Sequence, residues 1–258
     1  MRFASSIIAA SVAFSISVNA DHTSRQLILG GSKVKSNTKT YTVGIRNTTD
    51  GDNFCAGALV SSRHVITTVL CTYFGTDGFG PRFVSVGSHN LNGRLDGEQI
   101  EIASIKTHKK FDDQTLSYDF ALLTLKSPSK FKPITLPKAD NSDITPNMMA
   151  QVMGWGQTSY ENDKLSDDLR GVQVPVWTND ECRPHFTCDE SALCAGGKKN
   201  QDACIGDSGA PLIKENGAGD SDDVLIGLAS YGTGCGTEGI PSVYSRVSAV
   251  VQWIKSQL

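Results

Sequence analysis

The sequence predicts an all-β protein: two β units joined by a crossing segment, followed by a short C-terminal helix. Three observations lead there. From Thr40 onward, short β-branched runs broken by Gly, Asn and Asp recur along the chain, the pattern of many short strands with turn signals between them. No long amphipathic helical stretch separates these runs, which argues for a barrel or sandwich. Pro133, Pro137 and Pro146 cluster around residues 130–145, marking a break between two sets of strands.

Residues 1–20 hold Arg2, an apolar run from Ile7 to Val18 and the ending Val18-Asn19-Ala20. This is the pattern of a secretory signal peptide, too short and wrongly flanked for a membrane span. Residues 21–27 read as a short pro-like segment, and 28–258 as the folded unit. In the first β unit, about 28–140, strands are expected at Tyr41–Ile45, Gly57–Val60, His64–Thr68, Phe83–Gly87, Ile100–Lys106 and Ala121–Leu125. In the second, about 141–247, they are expected at Ala150–Gly154, Leu169–Val176, Pro211–Ile213, Val224–Tyr231 and Pro241–Val247. Branched and aromatic side chains suit a pleated, half-buried surface. Over Ala249–Leu258, Val250, Trp253, Ile254 and Leu258 share one face, which predicts a short helix docked on the second unit. Asn216–Asp223 is polar and rich in Gly and Asp, a surface loop.

With 258 residues, 39% hydrophobic and 20% charged, the chain can bury one large core or two coupled ones. The net charge is −3, and −4 once Arg2 leaves with the signal. A mildly acidic chain carries no electrostatic footprint for nucleic acid or an anionic membrane. No His/Cys arrangement has metal-ligand spacing, and no cofactor is expected. Asn47-Thr48-Thr49 is the only Asn-x-Ser/Thr sequon, marking Asn47 for an N-glycan in an exported chain. Seven cysteines imply disulfides with at least one cysteine left over, in a connectivity that the residues alone leave open.

The chemistry concentrates in Gln201-Asp202-Ala203-Cys204-Ile205-Gly206-Asp207-Ser208-Gly209-Ala210-Pro211. Glycines on both sides of Ser208 let the backbone take positive φ, and consecutive N–H groups around such a serine can face one oxyanion. This run resembles the nucleophile loop of the trypsin-like serine proteases. Tyr118-Asp119-Phe120-Ala121-Leu122-Leu123, Gly154-Trp155-Gly156, Leu193-Cys194-Ala195-Gly196 and Ser230-Tyr231-Gly232 match further segments of that family. The resemblance, which extends from Ile28 to Leu258, implies two six-stranded antiparallel β-barrels with a C-terminal helix. It assigns Ser208 as nucleophile, the Gly206 and Ser208 N–H groups as oxyanion hole, and Asp119 as the carboxylate that orients the base. Asp202 would lie at the base of the specificity pocket, beside Gly232 and Ser242. It also implies disulfides Cys55–Cys71, Cys182–Cys194 and Cys204–Cys235. Cys188 then has no family partner, and a free thiol, a rearranged Cys182/Cys188/Cys194 set and a link to another chain all stay open.

Several positions depart from the family. Leu70 stands immediately before Cys71, where active members carry the catalytic histidine. Leucine has no lone pair, so Ser208 keeps the weak nucleophilicity of an ordinary alcohol. The histidines present, His22, His64, His89, His108 and His185, occupy no family role. Leu27 precedes Ile28-Leu29-Gly30-Gly31 where the family has a basic residue, and Arg25 lies two positions too early. An ammonium freed at Ile28 to pair with Asp207 is therefore not expected by the family's route. Ser242 replaces a pocket-wall glycine and is expected to narrow access, while Ala210 replaces the glycine after the Gly-Asp-Ser-Gly core.

A scaffold retained without its base is most simply a binding protein. Leu70 together with retained Asp119 and Ser208 is similar to the glucanase inhibitor proteins secreted by plant-pathogenic oomycetes. That resemblance implies a host plant endo-β-1,3-glucanase as the protein partner. Contact is expected through the loops Thr72–Pro81 and Asn216–Asp223, with Asp220, Asp222 and Asp223 attracting a basic enzyme. A weakly active trypsin-like endopeptidase and an inactive decoy for protease inhibitors are the competing readings.

Overall fold

A computed structural model describes residues 29–73, 80–159, 162–217 and 219–258. Residues 1–28, which include the expected signal and pro-like segments with Leu27 and Ile28, lie outside the described residues. The first half contains β1 (Ser32–Lys33), β2 (Thr42–Arg46), β3 (Cys55–Ser61), β4 (His64–Thr67), β5 (Phe83–Val86), β6 (Glu98–Thr107) and β7 (Ala121–Leu125). All but β1 close into an antiparallel barrel in the order β2-β3-β4-β7-β6-β5. β2 is buried along its whole length and β3 along all but its last residue. Both faces of these strands are covered, and β3 reads as a near-continuous run of small and apolar residues through Val60. The outer cover of β3 is the second half of the chain, where the Ser208 carbonyl oxygen accepts the Ala56 N–H at 2.8 Å. β6 exposes most of its residues and forms a solvent wall of the barrel.

The second half contains β8 (Met149–Gly154), β9 (Gln157–Ser159), β10 (Asn162–Leu165), β11 (Arg170–Pro175), β12 (Ala192–Gly196), β13 (Pro211–Lys214), β14 (Val224–Tyr231) and β15 (Pro241–Arg246). Six of these form an antiparallel sheet in the order β11-β8-β13-β14-β15-β12, and β1 adds a seventh strand at the β11 edge. The two ends of the six approach each other through an antiparallel Val176–Ala195 bridge. β9 and β10 form a separate hairpin. The crossing segment laces the halves together: Ile134 N–H donates to Leu59 O at 2.9 Å and Leu225 N–H to Thr135 O at 3.0 Å. One apolar cluster runs through both halves.

The all-β class with two units therefore holds. β12 was not expected as a strand because Ala192–Gly196 has no β-branched residue; its register along β15, from Ala192↔Ser245 to Gly196↔Pro241, makes it one. Two short helices, α1 (Leu70–Tyr73) and α2 (Asn179–Cys182), are too brief for a periodic signal. A capping box fixes the start of α2, with Thr178 and Glu181 exchanging hydrogen bonds. The C-terminal helix α3 (Val251–Lys255) is shorter than expected and follows a 3₁₀ turn over Val247–Val250. Val250 and Ile254 are buried, and the Trp253 ring meets His108 edge-on at 4.8 Å. Leu258 instead is 51% exposed, because the helix ends at Lys255 and the chain leaves the apolar stripe.

Bridges join Cys55 to Cys71, Cys182 to Cys194 and Cys204 to Cys235. Cys188 is buried and unbridged. Among the described residues no helix is long and apolar enough to cross a membrane.

Candidate functional site

The site is assembled where the two halves meet. Asp119 lies two residues before β7, and the preceding Tyr118 has φ of +52°, a left-handed turn that aims the carboxylate inward. Asp119 is fully buried. Its Oδ1 accepts the N–H groups of Val69 at 2.7 Å and Leu70 at 3.3 Å, and its Oδ2 accepts the Ser230 hydroxyl at 2.7 Å. Burial raises this carboxyl above the usual range, and the three hydrogen bonds oppose the shift. Leu70 opens α1 half-buried, with its N–H on this carboxylate.

Among the described residues no imidazole reaches Asp119 or Ser208. His64 opens β4 and pairs with the Ser61 hydroxyl at 2.8 Å. His89 Nε2 lies 2.9 Å from Thr38 O. His108 stacks on Tyr118 with ring centroids 5.0 Å apart, and His185 meets Trp177 edge-on at 6.0 Å. His22 lies outside the described residues.

The Ser208 loop is shaped by close approach. Gly206 has φ of +97°, and a Cβ there would stand 2.6 Å from Leu165 Cδ2. Gly209 has φ of +77°, and a Cβ there would overlap the Ala56 carbonyl oxygen and the Thr67 hydroxyl. Among the described residues, neither the Ser208 hydroxyl nor the Gly206 and Ser208 N–H groups have a protein hydrogen-bond partner. Both donors expected of an oxyanion hole are thus free. Ala210 is buried without disturbing the backbone, since its N–H still reaches Asp207 O at 2.8 Å and its carbonyl accepts Ala229 N–H at 2.9 Å.

Asp207 anchors the loop. It is 1% exposed, accepting Gly156 N–H at 2.7 Å and Cys204 N–H at 2.9 Å. Side chains at positions 154 or 156 would overlap its carboxylate, so both must be glycine. No cation pairs with it among the described residues, and burial pushes its carboxyl up to about 6. The described chain begins beside Asp202 instead: Leu29 is buried, and its carbonyl accepts Asp202 N–H at 3.2 Å.

A family model described as Trypsin matches residues 28–254. The chain belongs to the trypsin family. Over 256 residues it is 55% identical to Glucanase inhibitor protein 2 of Phytophthora infestans, spanning 99% of this chain and 98% of that protein. It is 53% identical over 257 residues to Glucanase inhibitor protein 3 of Phytophthora sojae (strain P6497), with 99% and 98% spanned. It is 54% identical over 256 residues to Glucanase inhibitor protein 1 of Phytophthora infestans, with 99% and 97% spanned.

An open cavity of about 310 Å³ is lined among others by Ser208, Ser230, Tyr231, Gly232, Cys235 and Ser242, while Asp202, expected at the base of a specificity pocket here, is not part of its lining. Ser242 acts at its depth, donating to Asp202 Oδ2 at 2.8 Å, while Gly236 N–H donates to the same oxygen at 3.2 Å. Asp202 is 1% exposed, and its Oδ1 has no protein partner. Burial pushes its carboxyl up to about 6, against the hydrogen bonds from Ser242 and Gly236. The serine hydroxyl thus caps the carboxylate that would attract a basic side chain. A Cβ on Gly232 would stand 2.9 Å from Ser242 Oγ, so these two residues face each other across the wall.

The loops correct the expected picture. Residues 74–79 of the Thr72–Pro81 loop lie outside the described residues. In Asn216–Asp223, Asp223 turns inward, 1% exposed, accepting from Lys39 Nζ at 2.7 Å and Tyr41 Oη at 2.5 Å. Asp220 accepts Lys39 N–H at 2.6 Å. Of the three aspartates only Asp222 is fully exposed, so the loop is strapped to the first barrel and presents less outward charge than its composition suggested. Two contributors escaped the sequence reading. Ser230 sat inside a quoted motif without a role, and Lys39, held at φ of +53°, carries no local signal for a partner at position 223.

Proposed function

We propose that the mature chain is a secreted, proteolytically inactive trypsin-family protein that binds and inhibits host plant endo-β-1,3-glucanases. As a virulence effector it suppresses release of defence-eliciting glucan oligosaccharides. The observation that carries this reading is end-to-end similarity, at about half identity, to proteins named glucanase inhibitors. In this reading residues 1–20 are removed on export, 21–27 form a pro-like segment, and 28–258 are the binding unit. Asp119 and Ser208 are vestigial, because Leu70 offers no lone pair between them.

The unbonded Gly206 and Ser208 N–H groups and the open cavity beside them speak for a residual protease. The absent base outweighs them, since a serine hydroxyl without an adjacent base is a poor nucleophile at neutral pH. The capped Asp202 adds a second obstacle for basic substrates. An interface of standard size covers about 800 Å² per partner, far more than one pocket supplies, so surface around the cleft takes part. Charge favours the second half as the steering face: residues 141–258 carry 16 Asp+Glu against 8 Lys+Arg, whereas 29–140 carry 10 against 14. A basic enzyme is attracted to the second half, and salt screens that attraction.

The test is titration of mature protein into plant endo-β-1,3-glucanases hydrolysing laminarin, beside Ser208→Ala and Asp202→Ala. The expected result is a saturable fall in sugar release, equal for all three proteins, with association slowed by salt. Loss of inhibition in either variant would move the interface into the pocket. Absence of inhibition for every glucanase tried would refute the proposal and favour a decoy for protease inhibitors.

A further inference from the structure

We propose that Cys182, Cys188 and Cys194 form a thiol–disulfide exchange site, in which Cys188 displaces Cys194 from Cys182 and the two bridges interconvert. This goes beyond glucanase binding and does not depend on it. Cys188 Sγ lies 2.9 Å from Cys182 Sγ and 3.7 Å from Cys194 Sγ. The three sulfurs share a small apolar cluster with Ala192 and Val243, separate from the main core. A cysteine retained only as a small apolar filler has no need to touch both sulfurs of a bridge. A thiol in that position is within reach of the bridge and needs a side-chain rotation to line up with the Cys182–Cys194 bond, since exchange proceeds by a thiolate approaching a disulfide sulfur.

The step balances within the chain. Cys188 gives its proton to solvent, and its thiolate sulfur bonds to Cys182 Sγ. The Cys182–Cys194 bond breaks, and Cys194 leaves as a thiolate that takes a proton back. One S–S bond and one thiol exist before and after, so no oxidant or reductant is required. Ring size scarcely separates the isomers: the bridge spans 12 residues in one and 6 in the other. A doubling of loop length shifts closure by only about threefold. Loop closure by itself therefore does not exclude either isomer.

The groups facing Cys188 set its pace. Burial pushes its thiol up, Asp189 adds to that, and Arg183 and Arg246 pull the other way. Tyr231, also raised by burial, faces it from β14. The thiolate is scarce at neutral pH, so exchange is slow there and accelerates as pH rises. The site also connects to the cleft. Tyr231 lines the open cavity beside Ser208, donates to Thr187 O at 3.4 Å and meets the Phe186 ring edge-on at 5.7 Å. Drawing Cys188 into a bridge shifts Thr187 and with it this wall.

The experiment uses the mature protein with no added thiol, held at about pH 6 and about pH 8.5. Samples are taken over time, acid-quenched, alkylated with N-ethylmaleimide during denaturation, and mapped by mass spectrometry. Cleavage after Phe186 and after Glu190 puts the three cysteines on separate peptides. The expected result is alkylation divided between Cys188 and Cys194, within about tenfold of each other given that closure separates the isomers by only about threefold. The division is reached sooner at the higher pH, and Cys182 stays unlabelled. Label confined to Cys188 at every time and pH overturns the proposal. Cys194→Ser is expected to fold with a Cys182–Cys188 bridge. A folded Cys194→Ser with both thiols free overturns it equally, and the wild-type map needs no variant.

Discussion

Replacing Leu70 by histidine asks whether one missing base silences Ser208. Leu70 N–H lies 3.3 Å from Asp119 Oδ1, and Asp119 Oδ2 is held by the Ser230 hydroxyl at 2.7 Å. An imidazole at position 70 therefore enters a cleft that already has a buried, oriented carboxylate, free oxyanion donors and an unbonded serine. Removing a triad member lowers turnover by about four to six orders of magnitude, or about 5–8 kcal/mol of transition-state stabilisation. Wild type is thus expected to hydrolyse activated esters no faster than Ser208→Ala. Leu70→His should exceed both, while staying far short of that span. Because Ser242 caps Asp202, the recovered rate should favour a neutral aromatic ester over an arginine ester. Adding Ser242→Gly removes a hydrogen bond to a charged group, worth about 1.5–3 kcal/mol, and should move the ratio toward arginine by about 10–150-fold. Initial ester rates for the four proteins decide the matter. A wild-type rate clearly above Ser208→Ala, or a folded Leu70→His no better than Ser208→Ala, would refute the reasoning.

Further outcomes follow from the buried charges and the sequon. Asp202 and Asp207, both pushed up to about 6, retain protons in the fold that the unfolded chain releases near the ordinary value of about 4. Stability is then fullest below that value and falls as pH rises through about 6, by about 3 kcal/mol for each carboxyl at most. Thermal melts should be higher near pH 5 than near pH 7.5, and Asp202→Asn should flatten the difference; an unchanged slope would count against a buried, raised Asp202. Lys39→Met leaves Asp223 buried with Tyr41 as its remaining side-chain donor and should cost about 3 kcal/mol in denaturant unfolding; a loss below about 1 kcal/mol would show a strap of only surface strength. Asn47, at the end of β2 with Thr48 and Thr49 exposed, should carry a glycan in material from a eukaryotic host, and Asn47→Gln should remove that mass.

The features legible beforehand were those that local residue patterns encode. Branched runs located most strands, since β preference and alternation act over a few residues. The site could be read by resemblance because its glycines, Asp119 and Ser208 each sit inside a short run whose spacing survives without knowledge of the fold. That a leucine precedes Cys71 needed only the identity of one residue. What escaped was either too short or too unbranched to signal, as in β12 and α2, or dependent on a distant partner.

From the sequence alone came the all-β class, most of the strands, the runs around Asp119 and Ser208, and the leucine before Cys71. The tertiary structure alone decided that Asp223 faces inward, that Ser242 caps Asp202, and that Cys188 touches both sulfurs of a bridge. The physical reason is separation along the chain: Tyr41 and Asp223 are 182 residues apart, and Ser242 and Asp202 are 40 apart. No local pattern specifies such pairs. Tertiary packing does, because a buried carboxylate must take the donors the fold places beside it.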